Sequence, residues 1–141
     1  MEPIRSLAEG REREAGSQVA AARRAVAEAE QQLAQLRTYR ADYEARFRAG
    51  AAADGVRLQN YHAFLGRFTV AIEQQQQALA TANAQLERLL DAWRERRIEA
   101  ASIGKAVDRI ATQEQRAADR RRQHEDDEHA IQRTLRTRDP G

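Results

Sequence analysis

The sequence predicts an all-α protein in which two long helices form an antiparallel coiled-coil hairpin, the second helix being longer and overhanging. Apolar residues recur at alternating steps of three and four on both sides of a short break at residues 50–55. Such heptad spacing places a narrow apolar seam along each helix. The composition agrees, because 33% of the residues are charged and only 5% are aromatic. Such a chain has little bulk for a globular core.

The first predicted helix covers about residues 4–49 and follows Pro3, a residue that is typical of helix starts. Its apolar seam consists of Ala15, Val19, Ala22, Val26, Ala29, Leu33, Leu36, Tyr43 and Phe47. Gly10 and Gly16 interrupt the strong helix formers near its start. Each glycine costs about 1 kcal/mol relative to Ala, so we expect the first turns to fray unless a partner holds them.

The break at residues 50–55 begins and ends with glycine and is short enough only for a hairpin turn. The second predicted helix covers about residues 56–136, before the terminal Asp139, Pro140 and Gly141. Its apolar seam consists of Leu58, Tyr61, Leu65, Phe68, Ile72, Leu79, Ala82, Leu86, Leu89 and Trp93. We therefore predict one coiled-coil hairpin domain that covers residues 1–141.

The two seams can be aligned in one antiparallel register. The alignment that is centred on the turn places Phe47 opposite Tyr61 and Ala15 opposite Trp93. Small residues then repeatedly face large ones, as interdigitated packing requires. In this register the first helix ends opposite about residues 103–107. The segment 104–136 is therefore predicted to be a polar, overhanging helix or a frayed tail.

The charge balance argues against a surface dedicated to nucleic acid or membrane. The formal net charge is only +2, because acidic residues alternate with the arginines along most of the chain. No apolar run approaches the roughly 20 residues of a membrane span, and the charged N-terminus does not resemble a signal peptide. We expect a cytoplasmic protein that binds no nucleic acid and has no direct membrane insertion.

Catalytic and metal-ligating residues do not converge in the sequence. Asp126, Asp127 and Glu128 are consecutive, so on a helix their carboxylates point to different sides. His124 and Glu128 are four residues apart, but no third metal ligand accompanies them. We expect no enzymatic activity, no cofactor and no metal.

A run of three arginines precedes these acids. Arg120, Arg121 and Arg122 are followed at once by Glu125 and Asp126. Pairing within one helix explains the run without a nucleic-acid partner.

One surface close to the turn carries aromatic residues outside the seam. Tyr39 and Phe64 lie at heptad g positions on different helices, and we expect them to be close together with Tyr43 and Phe68 beside them. An apolar patch on a protein with no other core is a candidate docking site. The alternative is that these rings simply widen the seam near the turn.

These residues also resemble a known family. Leu33, Leu36, Tyr39 and Tyr43 have a characteristic spacing in the first helix. The segment Asn60-Tyr61-His62-Ala63-Phe64-Leu65 opens the second helix, and Asp127-Glu128 lies near its end. In this order and spacing they are similar to the flagellar export protein FliJ family, over nearly the whole chain.

The resemblance implies a non-enzymatic component of the flagellar type III export apparatus, shaped like the γ-subunit stalk of rotary ATP synthases. The implied partners are the hexameric export ATPase, the cytoplasmic domain of the export-gate membrane protein, and export chaperones. It implies peripheral association with the inner membrane through the apparatus. The helix ends far from the turn would face the ATPase.

Export-gate binding in the family maps to eight residues of this chain. They are Gln32, Leu36, Tyr39, Tyr43, Phe64, Phe68, Ala71 and Gln75. Phe68 stands where the family often has Leu, and Gln75 where His can occur. The alternative function is a generic structural coiled coil that dimerises or scaffolds other partners.

Overall fold

The computed structural model describes residues 2–50 and 55–138, which fold into two helices with no strand among them. Helix α1 spans Glu2–Ala49 with 48 residues, and helix α2 spans Gly55–Arg138 with 84 residues. The predicted all-α fold and the longer second helix are confirmed. Most of the predicted turn, residues 51–54, lies outside the described residues. Pro3 occupies the first turn of α1, where its missing N–H group has no intrahelical partner to lose.

The chain divides into two compact units. The central unit is Arg11–Arg96, and the terminal unit combines Met1–Gly10 with Arg97–Gly141. Both helices contribute to each unit. That the chain is a single domain stays a prediction. No helix in the described part is long and apolar enough to cross a bilayer.

In the central unit the two apolar seams face each other. Every predicted seam residue of α1 is buried or half-buried, and so is every one of α2 except Leu58, which is exposed. The rings of Phe47 and Tyr61 stack across the helices with their centroids 3.7 Å apart. This contact confirms the predicted antiparallel register near the turn.

The indole of Trp93 fits over a glycine. A Cβ atom at Gly16 would lie only 3.2 Å from Trp93 Nε1, so the missing side chain makes room for the ring. Trp93 Nε1 donates a hydrogen bond to Glu12 Oε1 at 3.1 Å. The sequence placed Ala15 opposite the indole, and Gly16 next to it in fact makes the close approach. Packing against the indole therefore explains why α1 has a glycine at position 16.

In the terminal unit the first turns of α1 pack on α2. Ala8 and Val107 are its buried apolar residues among those described. Arg5 Nη2 donates to the Gly104 carbonyl oxygen at 2.9 Å and also pairs with the Asp108 carboxylate. This hydrogen bond with Asp108 raises the pKa of the Arg5 guanidinium. The expected fraying at the start of α1 is replaced by a contact within the chain.

Beyond Asp108, α2 continues with little burial. All residues from 108 to 137 are exposed except Ala117 and Ala118, which are half-buried. The helix nevertheless extends to Arg138, so this segment is a polar helix and not a frayed tail. Local side-chain pairs such as Gln123 Nε2 to Asp127 Oδ1, at 3.0 Å, support it along its surface.

Candidate functional site

The eight residues of the predicted gate-binding surface all lie in the central unit. Four are on α1 and four on α2, and on each helix they follow one another at steps of four, three and four. That spacing places each set along one face of its helix. We call these eight residues the aromatic patch: Gln32, Leu36, Tyr39, Tyr43, Phe64, Phe68, Ala71 and Gln75.

Three rings from the two helices form the centre of the aromatic patch. The centroids of Tyr43 and Phe64 are 4.5 Å apart, and those of Phe64 and Phe68 are 5.1 Å apart in an edge-on arrangement. Tyr43 and Phe68 are 6.3 Å apart. Tyr43 also stacks on Tyr61 at 5.7 Å, which links the patch to the stacked pair near the turn. These distances are those of favourable aromatic pairs.

The rings differ in how much surface they leave open. Tyr43 and Phe68 are half-buried, as residues of the seam. Tyr39 is 58% exposed and Phe64 is 39% exposed. Phe64 makes its ring contacts with Tyr43 and Phe68, and Tyr39 is absent from the ring contacts among the described residues. The patch therefore has a packed base and two open rings.

A pair of amides lies at the other end of the aromatic patch. Gln75 Nε2 donates to the Ala29 carbonyl oxygen at 3.1 Å and to Gln32 Oε1 at 3.2 Å. Gln75 is half-buried at a seam position, where an apolar residue would continue the heptad. These hydrogen bonds to α1 satisfy the N–H groups of the amide and fix the relative position of the two helices at this level.

Near the aromatic patch, one carboxylate of α1 pairs with two arginines. Arg40 Nε lies 3.2 Å from Glu44 Oε1, and Arg48 Nη2 lies 3.5 Å from Glu44 Oε2. None of the eight patch residues is charged. The surface can therefore offer apolar and amide contacts to a partner without the cost of desolvating a charge.

One exposed valine next to the aromatic patch was not predicted from the sequence. Val70 is 52% exposed and lines a shallow depression together with Gly66, Ala71 and Arg67. Its heptad position lies on the outer face of α2, opposite the seam. A β-branched apolar residue at such a position was the signal that could have found it.

The polar residues of α2 that were considered for metal or nucleic-acid binding do not form a site. His124 Nε2 lies 3.1 Å from Glu128 Oε1, and no group of three or more possible metal ligands occurs in residues 2–50 and 55–138. Arg122 pairs with Asp119 and not with the acids that follow it. The predicted pairing of the arginine run with Glu125 and Asp126 is therefore wrong for Arg122.

The fold and the patch together define an antiparallel coiled-coil hairpin protein with an exposed aromatic surface. The chain belongs to the flagellar FliJ protein family, whose model matches residues 1–139. The resemblance that the sequence suggested is thus confirmed. Membership implies a role in flagellar biogenesis and protein export. No curated protein was found to match the chain.

Proposed function

We propose that this protein is a non-enzymatic, central-stalk-like adaptor that links the export ATPase ring to the export gate and escorts export chaperones. Family membership supports the setting in flagellar export. The observation that carries the proposal is the aromatic patch, with its two open rings on a packed base. In this role the protein is cytoplasmic and reaches the inner membrane through the apparatus.

The packed base of the aromatic patch makes its open rings effective contacts. Phe64 is held between Tyr43 and Phe68, so binding immobilises little that is not already ordered. The exposed ring of Tyr39 can pack against a partner, and its hydroxyl group can form a hydrogen bond with that partner. Aromatic anchors of this kind dominate the binding energy of many protein interfaces. The cytoplasmic domain of the gate protein is the partner we assign to them.

The two glutamines at one end of the aromatic patch would fix the orientation of a bound partner. Gln32 and Gln75 are joined across the helices at 3.2 Å, beside the half-buried Leu36. An apolar surface alone tolerates rotation of its partner, whereas amides require a defined hydrogen-bond geometry. The ring cluster would therefore supply affinity, and the two glutamines would orient the gate domain along the hairpin.

The terminal unit suits the other task, contact with the export ATPase. Its part of α2 is mostly exposed beyond Val107 and rich in charged residues. A helix without an exposed seam can occupy the middle of a protein ring without aggregating through apolar contacts. We assign the ATPase contact to this unit.

The gate contact is tested by Phe64→Ala and Tyr39→Ala, measured by titration against the purified cytoplasmic gate domain. We expect each variant to bind at least about tenfold more weakly, as truncation of an aromatic anchor does. Ile131→Ala is the matched control, because Ile131 is an exposed apolar residue of the terminal unit. Circular dichroism should show the same helicity in all three variants.

Unchanged gate binding by both aromatic variants would remove the patch assignment. If the wild-type chain bound neither the gate domain nor the ATPase but formed a stable dimer in light scattering, the generic scaffold would replace the adaptor.

A further inference from the structure

The face of α2 that packs on α1 continues in the terminal unit beyond the start of α1. Helix α1 begins at Glu2, and burial on α2 ends at Val107. Helix α2 continues to Arg138, which is about 46 Å further at a rise of 1.5 Å per residue. From Val107 onward, steps of three and four follow this face through Ile110 to Leu135. We call the face from Ile110 to Leu135 the overhang face.

The overhang face has large apolar side chains at both ends. Ile110 is 36% exposed at one end, and Ile131 and Leu135 are 59% and 61% exposed at the other. Between these ends lies a shallow depression, whose lining consists of Ala117, Arg120, Arg121, His124 and Glu125. A molecule that covered the face would therefore bury three large apolar side chains and contact the polar depression between them.

Two blocks of opposite charge lie side by side in the middle of the overhang. Residues 116–122 contain four arginines and one aspartate, and residues 123–129 contain four carboxylates with no lysine or arginine. The aspartate, Asp119, lies at an outer heptad position and pairs with Arg122. Among residues 2–50 and 55–138, the other three arginines, Arg116, Arg120 and Arg121, are in no ion pair. The basic block therefore has charge that an acidic block could neutralise.

We propose that the overhang face binds the same face of a second copy of this chain, with the two helices antiparallel. The two charge blocks are adjacent, and each has seven residues. Antiparallel pairing about their boundary therefore places the basic block of each copy against the acidic block of the other. Parallel pairing would place each block against its own duplicate, so that like charges repel. The charge pattern thus favours a second copy and determines its direction.

The length of the overhang and the heptad phase favour one antiparallel register. Antiparallel coiled coils pair an a position with a d position, and pairing about the boundary of the two blocks meets this rule. Ile110 of each copy then lies opposite Leu135 of the other, and Arg120 lies beside Asp127 on the flank of the contact. The second helix ends opposite about residue 107, where the cover by α1 begins. The described part of α1 therefore keeps its place.

Polar residues within the overhang face should make this pairing weak but specific. In this register Arg121 lies opposite His124 of the second copy, and Glu114 lies opposite Ile131. Polar residues at such positions lower the stability of a coiled coil and help to fix its register. We expect a reversible dimer that dissociates as the salt concentration rises, because salt screens exposed charges. This dimer goes beyond the adaptor role and does not depend on it.

Charge-reversed variants of the full chain test the pairing. The first variant replaces the four acids of residues 125–128 by Lys, and the second replaces the four arginines of residues 116–122 by Glu. The control replaces four exposed arginines of the central unit by Glu, namely Arg13, Arg23, Arg24 and Arg37. Sedimentation equilibrium measures the dissociation constant of each dimer at about 50 and 500 mM salt. Circular dichroism checks that all variants keep their helicity.

We expect wild type and control to dimerise with similar affinity at low salt, and each charge-reversed variant alone to dimerise at least about tenfold more weakly. An equimolar mixture of the two charge-reversed variants should regain the dimer, because every block again meets one of opposite charge. High salt should weaken the dimers of wild type, control and mixture.

Single cysteines test the register, since the chain has no cysteine of its own. A mixture of Ile110→Cys and Leu135→Cys chains should form a disulfide between the two different chains under mild oxidation. Each cysteine variant alone should remain largely unlinked, because identical positions lie about 38 Å apart along the pair at a rise of 1.5 Å per residue.

A wild-type chain that stayed monomeric at about 1 mM and low salt would overturn the proposal. A disulfide formed by Ile110→Cys alone would indicate a parallel dimer, and a dimer whose mixed cysteine chains stayed unlinked would use another face. Either result would also overturn it. None of these results would affect the adaptor, because binding to the gate domain and to the ATPase is measured separately.

Discussion

The central and terminal units use the same helices but are stabilised differently. In the central unit, apolar side chains of both helices meet along a seam that includes the buried residues Val19, Leu33 and Ile72. In the terminal unit, burial ends near Val107, and the exposed part of α2 is supported by local polar pairs. A long helix can thus be stabilised by packing against another helix in one region and by pairs of its own side chains in another. The two units also offer partners different chemistry, exposed aromatic rings in one and mixed positive and negative charges in the other.

The largest contrast between the units should appear when a leucine is truncated in each. Leu33→Ala removes a buried side chain of the central seam and should lower the free energy of unfolding by about 2–4 kcal/mol. Leu135→Ala removes an exposed side chain of the terminal unit and should change it by less than about 0.5 kcal/mol. Urea unfolding followed by circular dichroism measures both. Equal effects would contradict the difference in packing.

A smaller contrast concerns two helical glycines. A Cβ atom at Gly104 would meet nothing within 4 Å, so Gly104→Ala should stabilise the protein by up to about 1 kcal/mol through helix propensity. At Gly16 the same atom would approach Trp93 Nε1 at 3.2 Å, so the indole must move and the gain is reduced or lost. Thermal unfolding gives the stabilities, and a shift in Trp93 fluorescence should accompany only Gly16→Ala. An unchanged Trp93 spectrum would show that the indole does not rest on Gly16.

The smallest effect is local and belongs to the terminal unit. Arg5→Gln removes the ion pair with Asp108 and weakens the contact with the Gly104 carbonyl group. We expect faster amide hydrogen exchange in residues 6–10, whose N–H groups can be protected by the helix, with almost no change in the unfolding midpoint. Arg13→Gln is the control, since Arg13 is an exposed residue of the central unit. Exchange that stayed slow after Arg5→Gln would show that the packing of Ala8 alone holds these turns.

Much of the candidate site was readable from residue spacing. The steps of three and four predicted which residues of each helix would lie inward, and Leu58 is the predicted seam residue that stays exposed. It is close to the start of α2, where the seam has few neighbours. The two open rings of the patch, Tyr39 and Phe64, were also readable because both fall outside the a and d positions. The ring contacts of Phe64 are with Tyr43 and Phe68, and the expected closeness of Tyr39 and Phe64 stays a prediction.

The amino-acid sequence by itself determined the class of fold, the antiparallel register and the family, because all three depend on the order and period of residues along helices of constant pitch. The tertiary structure decided which partner each polar side chain takes. Arg5 crosses to Asp108, Trp93 binds Glu12, and Gln75 reaches the backbone of α1. Long side chains can reach several acceptors that are equally near in sequence. Only the relative position of the helices selects among them.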